Sequence, residues 1–258
     1  MYKREHLLFV ILGGFFISNA LVAEFIGVKI FSLEKTLGFA PVDWSFLGQS
    51  NLSFNLTAGV ILWPVVFVMT DIINEYYGKR GVRILSYLTV VMISYAYVMV
   101  TLAIGAKPAD FWISQVNTDI QPNIDVAYGR IFGQGLGVIV GSLIAFLVGQ
   151  LVDVTVFQYL RRFTGARRIW LRATGSTLVS QFIDSFVVLF VAFYFWPGAA
   201  NRWTVALVLA VGTVNYIYKF VLAIVLTPLL YLLHWVIDRY LGQELSERLI
   251  REAAGENS

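Results

Sequence analysis

The chain has 258 residues, 58% of them apolar and only 14% charged, with no cysteine and a formal net charge of +3. An ordinary soluble domain is about a quarter charged, and this much apolar surface cannot be buried in one soluble core, so lipid is its solvent. The missing cysteines exclude disulfides, thiolate metal sites and cysteine nucleophiles. Lys and Arg sit in short loops as topology signals and form no basic stripe, which argues against a nucleic-acid partner.

Crossing about 30 Å of hydrocarbon takes about 20 consecutive apolar residues in a helix. Six runs meet that length: 7–29, 54–74, 82–105, 131–157, 174–196 and 205–233. Backbone groups in lipid have no water to bond, so each run is expected to be helical. The fold class expected is therefore all-α: a polytopic membrane protein with six transmembrane helices over residues 1–241, followed by a cytoplasmic tail over 242–258.

The first run follows Lys3, Arg4 and Glu5 and resembles a secretory signal. It continues to about residue 31, long enough to span, and is read as a transmembrane helix with Asn19 near mid-depth. A loop with Glu34, Lys35 and Asp43 follows. In the second run Pro64 removes a helical N–H and is expected to free the Val60 carbonyl and kink the helix. That run closes on Asp71, Asn74 and Glu75, and Lys79, Arg80 and Arg83 separate it from the third.

Residues 106–130 include Pro108, Asn117, Pro122 and Asn123, are too polar to span, and read as an external loop with a short surface helix. The fourth run places small residues at Gly133, Gly137, Gly141, Ala145 and Gly149, a stripe that leads to Asp153. Small residues let helices approach closely in lipid, either within the bundle or at a subunit interface. Arg161, Arg162, Arg167, Arg168 and Arg172 come next.

The fifth run repeats a pattern of the fourth: Gln150-Leu-Val-Asp153 is echoed by Gln181-Phe-Ile-Asp184. At i, i+3 each amide and carboxylate share a face, and the two faces are expected to meet across one cavity, extended by Ser176 and Ser180. The sixth run carries Asn215 and Lys219 at i, i+4. His6 and His234 fall at helix ends. The tail from Gly242 is polar and reads as a frayed helix. Basic loops alternate with acidic or mixed ones, which places both termini in the cytoplasm.

A charge at the centre of a membrane helix costs about 2.5–3.5 kcal/mol, so such residues tend to pair around a solute or ion pathway. By depth they divide in two. Asn19, Gln181, Asp184, Asn215 and Lys219 fall near the midplane and read as a binding site. Asp71, Gln150, Asp153 and Arg172 lie towards the cytoplasm and read as an inner gate or an ion-pair network. No HExxH, GxSxG or Walker loop is present, so neither an enzyme nor an ATP-driven pump is expected, and no cofactor or metal is implied.

Longer blocks carry a resemblance. Thr70-Asp71-Ile72-Ile73-Asn74-Glu75-Tyr76-Tyr77-Gly78-Lys79-Arg80, shortly after Pro64, resembles the signature of the queuosine precursor transporters, once grouped as vitamin uptake transporters. So do Gly149-Gln150-Leu151-Val152-Asp153 with Phe157, and Ile169-Trp170-Leu171-Arg172 with Ser176-Thr177, Ser180-Gln181 and Asp184-Ser185. Tyr218-Lys219 and Thr227-Pro228 with Tyr231 complete the match, which covers about residues 60–235.

The resemblance implies six helices similar to the substrate-binding subunits of energy-coupling-factor importers, acting without the ATPase. It also implies a bacterial inner-membrane location, import of 7-cyano- or 7-aminomethyl-7-deazaguanine, and compatibility with a homodimer. Asp184 or Asp71 would read the N1 and amine edge of the base, Gln181, Asn19 and Asn215 would orient it, and Lys219 would balance the charge. The alternatives are transport of another vitamin-like or nucleobase solute, and a scaffold or binding subunit for an ATPase partner.

Overall fold

The computed structural model describes residues 3–115, 123–133, 136–164 and 169–255. Asn117, Asp119, Pro122, Arg167 and Arg168 lie outside them. Helix α1 runs Arg4–Ile26, with Glu5 in its first turn, where a carboxylate suits the helix dipole. It is followed by a strand-bearing segment that an all-helical reading did not anticipate: β1 Ile30–Ser32, a short helix α2 Leu33–Thr36, β2 Trp44–Phe46, β3 Gln49–Leu52 and β4 Asn55–Thr57.

β1 pairs antiparallel with β4, and β2 with β3, making two small ribbons. Both residues of the Leu47-Gly48 turn have positive φ, 50° and 73°, as a tight hairpin turn requires. Glu34 locks the segment: its carboxylate accepts from the Phe54 N–H at 2.8 Å and from Ser32 Oγ at 3.1 Å. Burial raises its pKa, but the N–H groups of Phe54, Glu34 itself and Val42 and the Ser32 hydroxyl outweigh that. The net effect holds the carboxyl below its ordinary range.

Helix α3, Trp63–Gly105, spans the expected second and third runs. The second run starts later than expected, because residues 55–61 form β4 and a 3-10 turn. Pro64 therefore occupies the first helical turn, where its missing N–H costs nothing, and it kinks no helix. The break comes instead at Gly78, with φ 63° and ψ −170°. A Cβ on Gly81 would lie 3.6 Å from the Ile73 side chain, whereas eight residues of straight helix span about 12 Å. The chain doubles back at Gly78 into two arms, the first only about 22 Å long and buried at every position from Val66 to Tyr76.

Short helices α4 Asp110–Gln115 and α5 Ile124–Phe132 occupy the polar connection, α5 capped by Asn123. Then come α6 Leu136–Thr164 and α7 Ile169–Leu189, continued to Phe195 as π-helix. The sixth run divides into α8 Val205–Val225 and α9 Thr227–Leu241, because Pro228 starts a new helix. The tail is not frayed. It forms α10 Gln243–Ala254, whose Leu245, Leu249 and Ile250 pack on the core and whose Ala253 abuts Gly78.

Among the described residues, five helical segments are long and apolar enough to cross a membrane: Arg4–Ile26, Trp63–Gly105, Ile124–Thr164, Trp170–Phe195 and Val205–Val225. The third of these contains residues outside the described set. Exposed Val10, Phe15, Val98, Leu102 and Val221 face outward, as side chains meeting lipid do. The glycine stripe of α6 faces α7. A Cβ on Gly141 would meet the Val188 carbonyl at 3.1 Å, and one on Gly149 the Asp184 Cβ at 3.6 Å. Gly137, Gly141 and Gly149 thus pack within the bundle, whereas Gly133, expected in the same stripe, caps α5 instead.

Candidate functional site

The antiparallel run of α6 against α7 orders the polar residues by depth. From the strand end inward, α6 presents Ser142, Gly149, Asp153 and Arg161, and α7 presents Ser185, Asp184, Ser180 and Arg172. The first arm of α3 descends beside them from Trp63 to Glu75, and α8 from Val211 to Lys219.

At the strand end these elements enclose a cavity of about 260 Å³. Lys219 Nζ donates to Asp184 Oδ2 at 2.5 Å, and the two side chains are only 16% and 18% exposed. Asn215 lies one turn away on α8, also lining the cavity. Across it, Glu24 of α1 is buried and its Oε1 accepts from Ser142 Oγ at 2.5 Å. Trp63, Phe67, Phe146 and a stacked Phe193–Trp203 pair supply aromatic walls.

A smaller cavity of about 40 Å³ lies further in, lined by Asp71, Thr177 and Gln181. The two spaces share Val60, Trp63, Phe67 and Lys219. Below them the polar groups are buried. Thr70 Oγ1 donates to Gln150 Oε1 at 3.0 Å, Ser180 Oγ to Asp153 Oδ1 at 3.0 Å, and Gln158 Nε2 to Asn74 Oδ1 at 2.7 Å. Glu75 pairs with Arg172 at 2.5 Å and with Arg161 at 3.7 Å, and Arg172 stacks 5.5 Å from the Phe157 ring centre. Arg161 also donates to the Ile250 carbonyl of α10 at 2.5 Å. Tyr76 donates to Asp238 and contacts His234 Nδ1 at 2.8 Å, so His234 lies in a side-chain cluster with α3.

Of the expected midplane set, Gln181, Asp184, Asn215 and Lys219 come together around the two cavities. Asn19 does not join them; its Nδ2 donates to the Phe15 carbonyl of its own helix at 2.8 Å. The deeper residues Asp71, Asn74, Glu75, Gln150, Asp153 and Arg172 are all buried and adjoin one another. The Gln-x-x-Asp repeats do not face each other across one cavity. Gln150 and Asp153 turn into the buried network, while Gln181 and Asp184 line the two cavities. Glu24 escaped the sequence reading, although a carboxylate two residues from the end of an apolar helix is the same kind of signal as Asp184.

Carboxylate, ammonium and amide groups around aromatic walls suit a small planar solute with a donor- and acceptor-rich edge. The sequence profile described as "Putative vitamin uptake transporter" matches residues 57–233. The "Probable queuosine precursor transporter" of Bacillus subtilis is 34% identical over 76% of this chain and 80% of its own length. The protein of that name from Haemophilus influenzae is 28% identical, covering 70% of this chain and 69% of its own. The "Queuosine precursor transporter" of Escherichia coli is also 28% identical, over 69% and 72%. No solved structure matches the chain.

Proposed function

We propose that this chain, which belongs to the vitamin uptake transporter family and is a transporter, not an enzyme, carries queuosine precursors of the 7-deazaguanine class across the plasma membrane into the cytoplasm. The names of its relatives support the cargo. The observation that carries the site is the Asp184–Lys219 pair at the base of an aromatic-walled cavity. A 7-deazaguanine offers N1–H and an exocyclic amine, which a carboxylate accepts together, and a carbonyl, which an ammonium or amide serves. Asp184 reads the donor edge, Asn215 serves the carbonyl, Lys219 balances the buried charge, and Trp63 and Phe67 cover the ring. Gln181 and Asp71 lie one step further along the route, and Glu75 with Arg172 forms the inner gate.

In this arrangement the strand end is external and the chain crosses six times, counting the two arms of α3 separately. Lys79, Arg80 and Arg83, at the turn after Gly78, would then lie in the cytoplasm with both termini, an orientation that the distribution of basic residues supports. Uptake of radiolabelled 7-cyano-7-deazaguanine by cells unable to make the precursor tests the reading. Expression of this chain is expected to restore uptake and queuosine in tRNA, and absence of both would sink the proposal. Competition by excess guanine measures how far the site depends on the 7-substituent.

A further inference from the structure

The smaller cavity has a chemistry that binding of the base does not use. Asp71 and Gln181 are each only 4% exposed, both line this space, and Asp71 Oδ1 and Gln181 Nε2 have no hydrogen-bond partner among the described residues. Its volume, about 40 Å³, has room for about one or two waters. Water there would accept from Gln181 and meet Asp71 Oδ1.

The charges around Asp71 are unevenly matched. Glu75 on its own helix is held by Arg172 of α7 and Arg161 of α6, and Asp184 of α7 is held by Lys219 of α8. Asp153 of α6 faces Asp71 and receives the Ser180 hydroxyl, while Asp71 Oδ2 receives that of Thr177 at 3.4 Å. Arg172 acts on Asp71 through its charge, while its guanidinium is bonded to Glu75 at 2.5 Å. An ionised carboxylate with an oxygen that no protein donor serves is costly inside an apolar bundle, whereas the acid form makes that oxygen a donor. Lys219 lines both cavities on a flexible four-carbon stem, so Asp71 and Asp184 are both within its territory.

Given the transport reading above, we infer that Asp71 binds the proton that drives uptake, and that Lys219 exchanges between Asp184 and Asp71 to couple that proton to the solute. One proton enters from the outer cavity through water and protonates Asp71 Oδ1, with Lys219 held on Asp184. A solute whose N–H donors take Asp184 displaces the ammonium, which moves towards Asp71 and favours its ionised form. The proton then leaves to the cytoplasm together with the solute, and no other bond is made or broken.

The test uses the full chain in proteoliposomes with labelled 7-cyano-7-deazaguanine. For one proton per solute, an acid-outside gradient of one pH unit sustains an accumulation of about tenfold in the wild type, with acidification of the lumen. Asp71→Asn is expected to abolish accumulation and lumen acidification while keeping measurable solute exchange, and Asp71→Glu to retain both. Accumulation by Asp71→Asn, or accumulation that follows a sodium gradient and ignores pH, overturns the inference. A readout without solute separates this from failure of the cargo assignment. Infrared pH titration of purified protein should show a carboxylic-acid C=O band that is lost in Asp71→Asn and shifted in Asp71→Glu. Absence of that band overturns the inference even where uptake is seen.

Discussion

Around the larger cavity, Asp184, Lys219 and Asn215 keep partial access to open space; a few turns further in, Glu75, Arg172, Asp153 and Gln150 are packed with almost none. Both regions hold ionisable groups inside an apolar bundle, but what keeps them there differs. In the inner region the groups are shut off from open space and lean on one another. In the outer one the pair is bordered by space that a solute or water can fill, so partner exchange is cheap. A residue's presence in the core therefore does not tell whether it binds cargo or holds helices; the adjoining cavity does.

The comparison breaks first at Arg172. Replacing it with Met leaves buried Glu75 with the longer Arg161 pair at 3.7 Å, and unfolding in detergent should show a loss of about 3–5 kcal/mol, while Arg172→Met with Glu75→Gln recovers much of it. Equal stability of the single variant and wild type would mean that the inner network does not depend on the Arg172 pair. Lys219→Ala sharpens the contrast. Its partner Asp184 borders open space, so the stability cost should be smaller, about 2 kcal/mol, while uptake is lost. A folded Lys219→Ala protein with normal uptake would remove the pair from the site.

Next comes the seam that joins the two regions. Gly141→Leu places a side chain against the Val188 carbonyl and Ala192 and should cost about 1–3 kcal/mol as α6 and α7 are forced apart; a thermal melt reads the loss. The smallest effect lies outside the bundle at Glu34. Its folded carboxyl titrates below the ordinary range, so its contribution is complete above about pH 4.3 and fades as pH falls through the folded value. Glu34→Gln should flatten that acid limb of the stability curve and leave it unchanged at neutral pH.

Much of the bundle was legible because hydrocarbon thickness leaves few ways to read a long apolar run. Local chemistry decided where the reading failed. Pro64 has the same effect on the backbone wherever it stands, but at the start of a helix there is no bond for it to break. The strands at 30–57 are three or four residues each, too short to show alternation. For the site, Asp184 and Lys219 stood out because charge in lipid needs a reason. Asn19 stood out on the same grounds, yet its own Phe15 carbonyl supplies the reason. Which charges meet depends on helix rotation, and the sequence has no measure of that.

The pairing of β1 with β4 ties the end of α1 to the start of α3, and a Cβ on Gly59 would lie only 2.6 Å from the Ala23 carbonyl. Glu24 and Trp63 are thus carried on a single lever, stapled at its tip. The facing wall, with Asp184 and Ser142, is a second lever joined along the glycine seam. A vestibule between two such levers would widen where they meet, at the hydrogen bond from Ser142 to Glu24. Its aperture is therefore a property of the joint between the levers, and a tether across that joint acts on all four of these side chains at once.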